Sequence, residues 1–191
     1  MSQLPHVVCG DFDSISPDTL RYFESEGAQV IHDEDQYTTD LMKALGVLEK
    51  KCEVQSHAKM DVVISGGLEG RVDQALSQLH QLYLSSTTKG ACVGDIYLMT
   101  QTSIVMLLEK HRNEILAPVS KGMFTQNVGI VPLAGPVTLT TSGFEWNLKD
   151  DKLEFGRFIS TSNHIVRDTL EVETCGPILL TLEMDCDNHK S

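Results

Sequence analysis

Apolar and polar positions in the first hundred residues alternate between two rhythms. Residues 4–9 form a short apolar run into Gly10 and read as a strand. Ser16 then suits a helix N-cap, Pro17 the first helical position and Gly27 the stop, with Leu20 and Phe23 on the apolar side. Residues 29–32 predict a second strand. Thr39 can cap a helix whose apolar stripe is Leu41, Ala44, Leu45 and Leu48, and Lys50, Lys51 and residues 55–59 predict an exposed connection. Asp61-Val62-Val63-Ile64-Ser65 has the continuous apolar centre of a parallel strand buried on both faces. A glycine-rich turn follows, Gly66-Gly67-Leu68-Glu69-Gly70, and then a helical stripe of Val72, Ala75, Leu76, Leu79, Leu82 and Tyr83. Residues 96–99 predict another strand. This βαβα order predicts a doubly wound, mostly parallel sheet.

Near Gln101 the rhythm changes. Apolar runs at residues 104–108, 114–116, 128–133, 137–141, 153–159, 170–173 and 178–184 lack helical spacing, and turn residues at 134–136 and 149–152 separate them. Many short strands with regular turns predict a β-sandwich or barrel. The fold class expected is therefore an α/β domain over residues 1–101 and an all-β domain over residues 102–191. There is no internal repeat or low-complexity segment.

Composition narrows the chemistry. The 191 residues suffice for one large domain or two small ones, and 41% hydrophobic content is ordinary for a globular protein. A formal net charge of −12 argues against a broad nucleic-acid face, which needs a basic surface. It leaves room for a phosphorylated small molecule if metal ions mediate. No apolar run reaches the roughly 18 residues of a membrane span, and the opening residues lack the basic and apolar regions of a signal peptide. Five scattered cysteines (Cys9, Cys52, Cys92, Cys175, Cys186) read as thiols in a reducing compartment, and the lack of targeting signals leaves a cytoplasmic location as the default expectation. The seven histidines show no zinc-binding spacing.

Carboxylates recur where this fold class binds ligands. Asp11 and Asp13 follow the first strand, Asp40 opens a helix, and Asp73 lies in the first turn after the glycine-rich loop. Such places converge at one edge of a doubly wound sheet. Carboxylates gathered there repel each other unless a cation such as Mg²⁺ and a polyphosphate relieve the repulsion. Each of these aspartates can equally cap a helix or shape a turn. In Gly66-Gly67-Leu68-Glu69-Gly70-Arg71-Val72-Asp73-Gln74, glycines such as Gly67 let backbone N–H groups approach an anion, and Arg71 can grip phosphate with two hydrogen bonds. The spacing is neither that of a Walker A loop nor of a dinucleotide fingerprint, and a plain tight turn with a solvated arginine is the competing reading. In the β-rich half, Trp146, the single tryptophan, lies near Ser160 and Asn163 in type if not in sequence: a flat aromatic with small polar groups suits a planar heteroaromatic ligand. A core tryptophan in a hairpin is the alternative.

Together these segments resemble one family, thiamine pyrophosphokinase. The matching stretches are Gly10-Asp11-Phe12-Asp13-Ser14, Asp35-Gln36 with Thr39-Asp40, the segment from Gly66 to Gln74, Trp146-Asn147-Leu148, and Ser160-Thr161-Ser162-Asn163. They occur in family order, and Gly143-Phe144-Glu145-Trp146-Asn147-Leu148 is closer to the eukaryotic branch. The resemblance implies transfer of a pyrophosphoryl group from ATP to the hydroxyl of thiamine, giving thiamine diphosphate and AMP. It implies Mg²⁺, and a homodimer with sites between subunits. By position, Asp11, Asp13 and Asp40 would hold Mg²⁺ and the ATP phosphates. Arg71, Gln74 and Gly67 would steady phosphate, Gln36 would line the nucleotide site, and Asp73 would orient or deprotonate the thiamine hydroxyl. Trp146 would stack on a thiamine ring, with Ser160 and Asn163 hydrogen-bonding the pyrimidine.

Family members usually carry a further strand and helix, with an Ala-Asp-Gly-Gly-Ala-Asn-Arg segment, ahead of the first matching stretch. This sequence has none there, so weak or absent turnover is expected, and a homologue that binds thiamine or thiamine diphosphate without turnover is the alternative. An aspartyl-nucleophile phosphatase would also place Asp11 and Asp13 after a strand. Ile15, however, stands where that class wants Thr or Val, and the β-rich half fits it poorly.

Overall fold

The structure is a computed structural model that describes residues 4–55, 59–87 and 93–186; Cys92 and residues 56–58 of the expected connection lie outside them. It divides into two compact units, one holding the described residues up to Lys59 and the other those from Met60 onward.

In the first unit β1 (Val7–Gly10) pairs in parallel with β2 (Gln29–His32), Val8 opposite Val30. They are joined through α1 (Pro17–Ser25), whose start is built as its sequence predicts. Ser16 has extended φ/ψ and its hydroxyl accepts from Thr19 N at 3.1 Å, satisfying one of the orphan donors of the first turn. Thr39 Oγ1 accepts from Met42 N at 3.3 Å and opens α2 (Asp40–Gln55). The expected apolar stripe of α2 is only half-buried, with Ala44 exposed; the fully buried side chains of α2 are Lys43 and Cys52. A buried ammonium is tolerable here because it has a partner: Lys43 Nζ donates to the Asp33 carbonyl at 2.8 Å.

The second unit contains β3 (Met60–Ser65), α3 (Val72–Thr87), β4 (Val93–Met99), β5 (Ser103–Leu108), β6 (His111–Leu116), β7 (Phe124–Val131), β8 (Val137–Ser142), β9 (Asp151–Leu153), β10 (Ser160–His164), β11 (Thr169–Thr174) and β12 (Ile178–Met184). Its larger sheet has six strands in the order β10-β7-β12-β5-β4-β3, and its smaller one has four, β6-β11-β8-β9. β3 runs parallel to β4, but β4 pairs antiparallel with β5, so strands on either side of Gln101 share one mixed sheet. Among the described residues helices are few, and the part after β4 is strand and turn apart from one short 3₁₀ segment, Val119–Lys121.

Three further local expectations change. In α3 the stripe is buried only in part, with Val72 and Leu76 exposed. β3 is an edge strand of its sheet rather than one buried on both faces, and Val63 is 58% exposed. Apolar composition signals a strand but not its place in the sheet. The apolar run at residues 153–159 is not one strand. β9 ends at Leu153, and a turn follows in which Glu154 pairs with Phe158 and Gly156 takes φ 90°, leaving Phe155 and Phe158 exposed. Both sheets contribute to one buried cluster: Leu108, Val128, Ile130 and Leu180 from the larger, Ile115, Leu139, Leu153, Leu170 and Val172 from the smaller. Each fully buried Leu or Ile contributes about 1.5–3 kcal/mol. Among the described residues no helix is long and apolar enough to cross a membrane.

Candidate active site

The first unit gathers carboxylates at the exits of its parallel pair. The chain leaves β1 through Gly10, and the Asp40 carboxylate from the first turn of α2 lies directly over that glycine: a Cβ on Gly10 would stand 2.9 Å from Asp40 Oδ1. Only a residue without a side chain lets the carboxylate approach so closely. Asp11 Oδ1 accepts from Asp13 N at 3.1 Å, which folds the Asp11-Phe12-Asp13 turn back on itself. Phe12 sits at φ 64°, unusual for a bulky residue, and is held there by a stack on His32 with ring centres 5.2 Å apart and planes 15° apart. His32 Nε2 lies 3.0 Å from the Asp11 carbonyl, and since a carbonyl only accepts, that nitrogen carries the proton. Lys43 Nζ is 3.9 Å from Asp40 Oδ1. Burial, together with the charges of Asp40 and Asp33, pushes the Cys9 thiol above its ordinary range and so disfavours its thiolate. Gln36 is exposed in the following loop, its amide donating to the Glu34 carbonyl at 3.5 Å. Asp40 is thus seated over the glycine that precedes the Asp11-Phe12-Asp13 turn, while Asp73 belongs to the other unit.

In the second unit the glycine-rich loop connects β3 to α3 through left-handed residues, Gly66 at φ 80°, Leu68 at 62° and Gly70 at 77°. Gln78 closes it: its Oε1 accepts from Leu68 N at 2.6 Å and sits where a side chain on Gly67 would reach, 3.0 Å from an added Cβ. Arg71 makes a forked pair with Asp73, Nε to Oδ1 at 3.1 Å and an Nη to Oδ2 at 2.5 Å, and both side chains are exposed, as is Gln74. The Arg71 hydrogen bonds hold the Asp73 carboxyl below the usual aspartate range.

Elsewhere in the same unit Trp146 stands 55% exposed on the segment after β8, packed at a tilt on His164 with ring centres 5.2 Å apart. Its backbone is clamped by Asn163, which is 2% exposed. The Asn163 Oδ1 accepts from Trp146 N at 3.2 Å and His164 N at 2.8 Å; its Nδ2 donates to Trp146 O at 2.9 Å and Ser160 Oγ at 3.3 Å. A β-bulge between Ser160 and Asn163, with Ser162 at φ 57°, turns Asn163 inward to do this. His164 Nδ1 is 2.6 Å from Glu145 Oε2.

Comparison with known proteins matches both parts of the chain to one family. Residues 1–93 match the model for the catalytic domain of thiamin pyrophosphokinase, and residues 112–179 match the model for its vitamin B1 binding domain. The chain belongs to the thiamine pyrophosphokinase family. It is 32% identical over 183 residues to thiamine pyrophosphokinase 2 of Arabidopsis thaliana, covering 94% of this chain and 66% of that one. It is 27% identical over 186 residues to thiamine pyrophosphokinase 1 of rice, covering 96% and 68%. The chain thus spans about two thirds of the length of these plant relatives. Its fold is similar to that of the Candida albicans thiamin pyrophosphokinase, with a TM-score of 0.87 at 23% identity over 96% of this chain and 74% of that one. The yeast thiamin pyrophosphokinase gives a TM-score of 0.83, also at 23% identity, over 95% and 70%.

Several residues at these thiamine pyrophosphokinase-like sites escape a reading by motif. Lys43 was hidden in what reads as a polar helix face, and its burial marks it. His32 and Gln78 act on backbone groups, which no side-chain pattern reports. Glu145 and His164 lie 19 positions apart and meet only when the Trp146 segment folds against β10. Among the described residues no group of three or more His, Cys, Asp or Glu side chains is spaced to hold a metal ion by itself. Hard oxygen donors nonetheless fit Mg²⁺, which takes one or two carboxylates and completes its shell with water and substrate phosphates. Asp40, seated over Gly10, and Asp11, the next residue along the chain, are donors of that kind.

Proposed function

We propose that this chain transfers the diphosphate group of ATP to the hydroxyl of thiamine, releasing thiamine diphosphate and AMP. The observation that carries the reading is the ordered match of its two parts to a catalytic domain and a vitamin B1 binding domain of one family. The carboxylates at the β1 exit support it. Asp11, Asp13 and Asp40 would hold Mg²⁺ with the ATP phosphates; when bound, the ion neutralises charge on the phosphates and orients them. Gln36 lines the nucleotide, and Gly67, Arg71 and Gln74 steady phosphate oxygens.

Asp73 orients or deprotonates the thiamine hydroxyl, a weak nucleophile at neutral pH. Its pairing with Arg71 suggests the order of events. While the fork is closed, Asp73 is a poor base; a phosphate that draws Arg71 away frees the carboxylate as the donor arrives. Trp146 stacks on a thiamine ring. Ser160 offers its hydroxyl hydrogen to the pyrimidine, and Asn163, its own bonding capacity taken up, serves the same ring by holding Trp146 in place.

A doubly wound sheet with a β-sandwich, a division near residue 101, a homodimer with sites between subunits and a cytoplasmic location belong to the same proposal. The gap between the two matched regions supports that division.

The test is an assay with ATP, thiamine and Mg²⁺ in which AMP and thiamine diphosphate are both measured. Equal amounts of the two are expected, with the rate of Asp73→Asn lower by about a hundredfold or more. Thiamine-independent AMP release, or ADP with thiamine monophosphate, overturns the reading.

A further inference from the structure

We propose that His164 reads the amino group of the ligand's pyrimidine ring and that Glu145 determines which His164 nitrogen does so. This deepens the thiamine reading above and rests on it. An aminopyrimidine held against Trp146 presents an exocyclic amino group, a donor that needs an acceptor. Asn163 cannot supply it. Its oxygen already accepts from the backbone N–H groups of Trp146 and His164, and its amide hydrogens go to Trp146 O and Ser160 Oγ, so all four of its bonding positions are filled. Freeing one would loosen the tryptophan it holds.

His164 has the missing property. Its ring packs at a tilt on Trp146 with centres 5.2 Å apart, so its Nε2 edge flanks the indole on which the ring is proposed to stack. Its Nδ1 is 2.6 Å from a carboxylate oxygen of Glu145, which only accepts; the proton of the neutral ring therefore sits on Nδ1 and the lone pair on Nε2. Glu145 is itself fixed, its N donating to the His164 carbonyl at 2.8 Å, so the two residues hold each other through backbone and side chain. The pair is partly exposed, with side-chain exposures of 38% for His164 and 47% for Glu145, and so is open to a ligand. The arrangement selects for an amino group and against an oxo group at the same ring position, because two acceptors facing each other repel.

The single tryptophan provides the readout. Trp146 fluorescence is titrated with thiamine and with the analogue carrying an oxo group in place of the pyrimidine amino group, using the full chain and three variants. His164→Phe keeps an aromatic ring against Trp146 but removes the acceptor. Glu145→Ala lets the imidazole carry its proton on Nε2. His164→Gln restores an acceptor near the Nε2 position. In His164→Phe and Glu145→Ala the Kd for thiamine is expected to rise about three- to tenfold, the scale of one hydrogen bond, with the Kd for the oxo analogue level or lower. His164→Gln should recover preference for thiamine over the analogue. In turnover the KM for thiamine rises in His164→Phe and kcat holds. An unchanged thiamine Kd in His164→Phe overturns the inference, as does an equal loss of both ligands, which marks the ring as packing alone. A wild-type chain whose fluorescence ignores thiamine overturns the thiamine reading itself, a result distinct from either.

Discussion

A carboxylate over a bare glycine is the residue-scale feature on which the proposed chemistry most depends. Gly10 makes room for Asp40, and a methyl there would stand 2.9 Å from its Oδ1. Gly10→Ala is therefore expected to push this largely exposed carboxylate aside while adding little overpacking cost to folding stability. It should also slow diphosphate transfer by about a hundredfold, the scale of an ångström's misplacement. Denaturant unfolding measures the first and AMP release the second; a variant with normal turnover removes Asp40 from the reaction. At this scale the sequence names the acidic side chains, because residue type and position after a strand are local facts. It is silent on Lys43, which reads as solvated and is buried, and on the clamp that Asn163 makes on Trp146, 17 positions away.

Elements are held by similar cross-chain contacts. β7 and β12 slip register between Leu182 and Met184, where regular ladder bonds are lost. Glu183 bridges the irregularity, its Oε2 accepting from Thr125 Oγ1 at 2.6 Å and Asn127 Nδ2 at 2.7 Å. These bonds, Thr125 first, hold the Glu183 carboxyl below the ordinary glutamate range. The sign follows from linkage: a carboxyl depressed in the folded state stabilises the protein above its unfolded pKa, and that contribution disappears as pH falls through the folded value. Glu183→Gln should melt below wild type at neutral pH, with the gap closing in strong acid; a gap that stays constant with pH assigns the effect to shape alone. Element boundaries were legible where local chemistry defines them, as at Ser16 and Pro17. They were not where a turn interrupts an apolar run, as at residues 154–158, since Phe155 and Phe158 look like strand residues until the chain bends around Gly156.

For the whole molecule, the proposed metal site and the proposed ring site draw on different compact units. Asp11, Asp13 and Asp40 lie in the first, Trp146, Ser160, Asn163 and His164 in the second. Each ring-site contact is made within its own unit, so ring binding should not require the metal. With a chelator present, thiamine should still quench Trp146 fluorescence while AMP formation stops, and added Mg²⁺ should restore turnover. Loss of quenching together with turnover would show that the ring is held only when the metal site is filled.

The sequence by itself determined the family, most strands and helices, and the residue types at the sites, because periodicity, caps and short motifs are encoded within a few positions of each other. Only the tertiary structure decided that β4 joins a mixed sheet with β5, that β3 is an edge, that Arg71 closes on Asp73, and that Glu145 and His164 meet beside Trp146. Strand pairing and hydrogen-bond saturation depend on which distant groups arrive together, and a linear pattern carries no record of that.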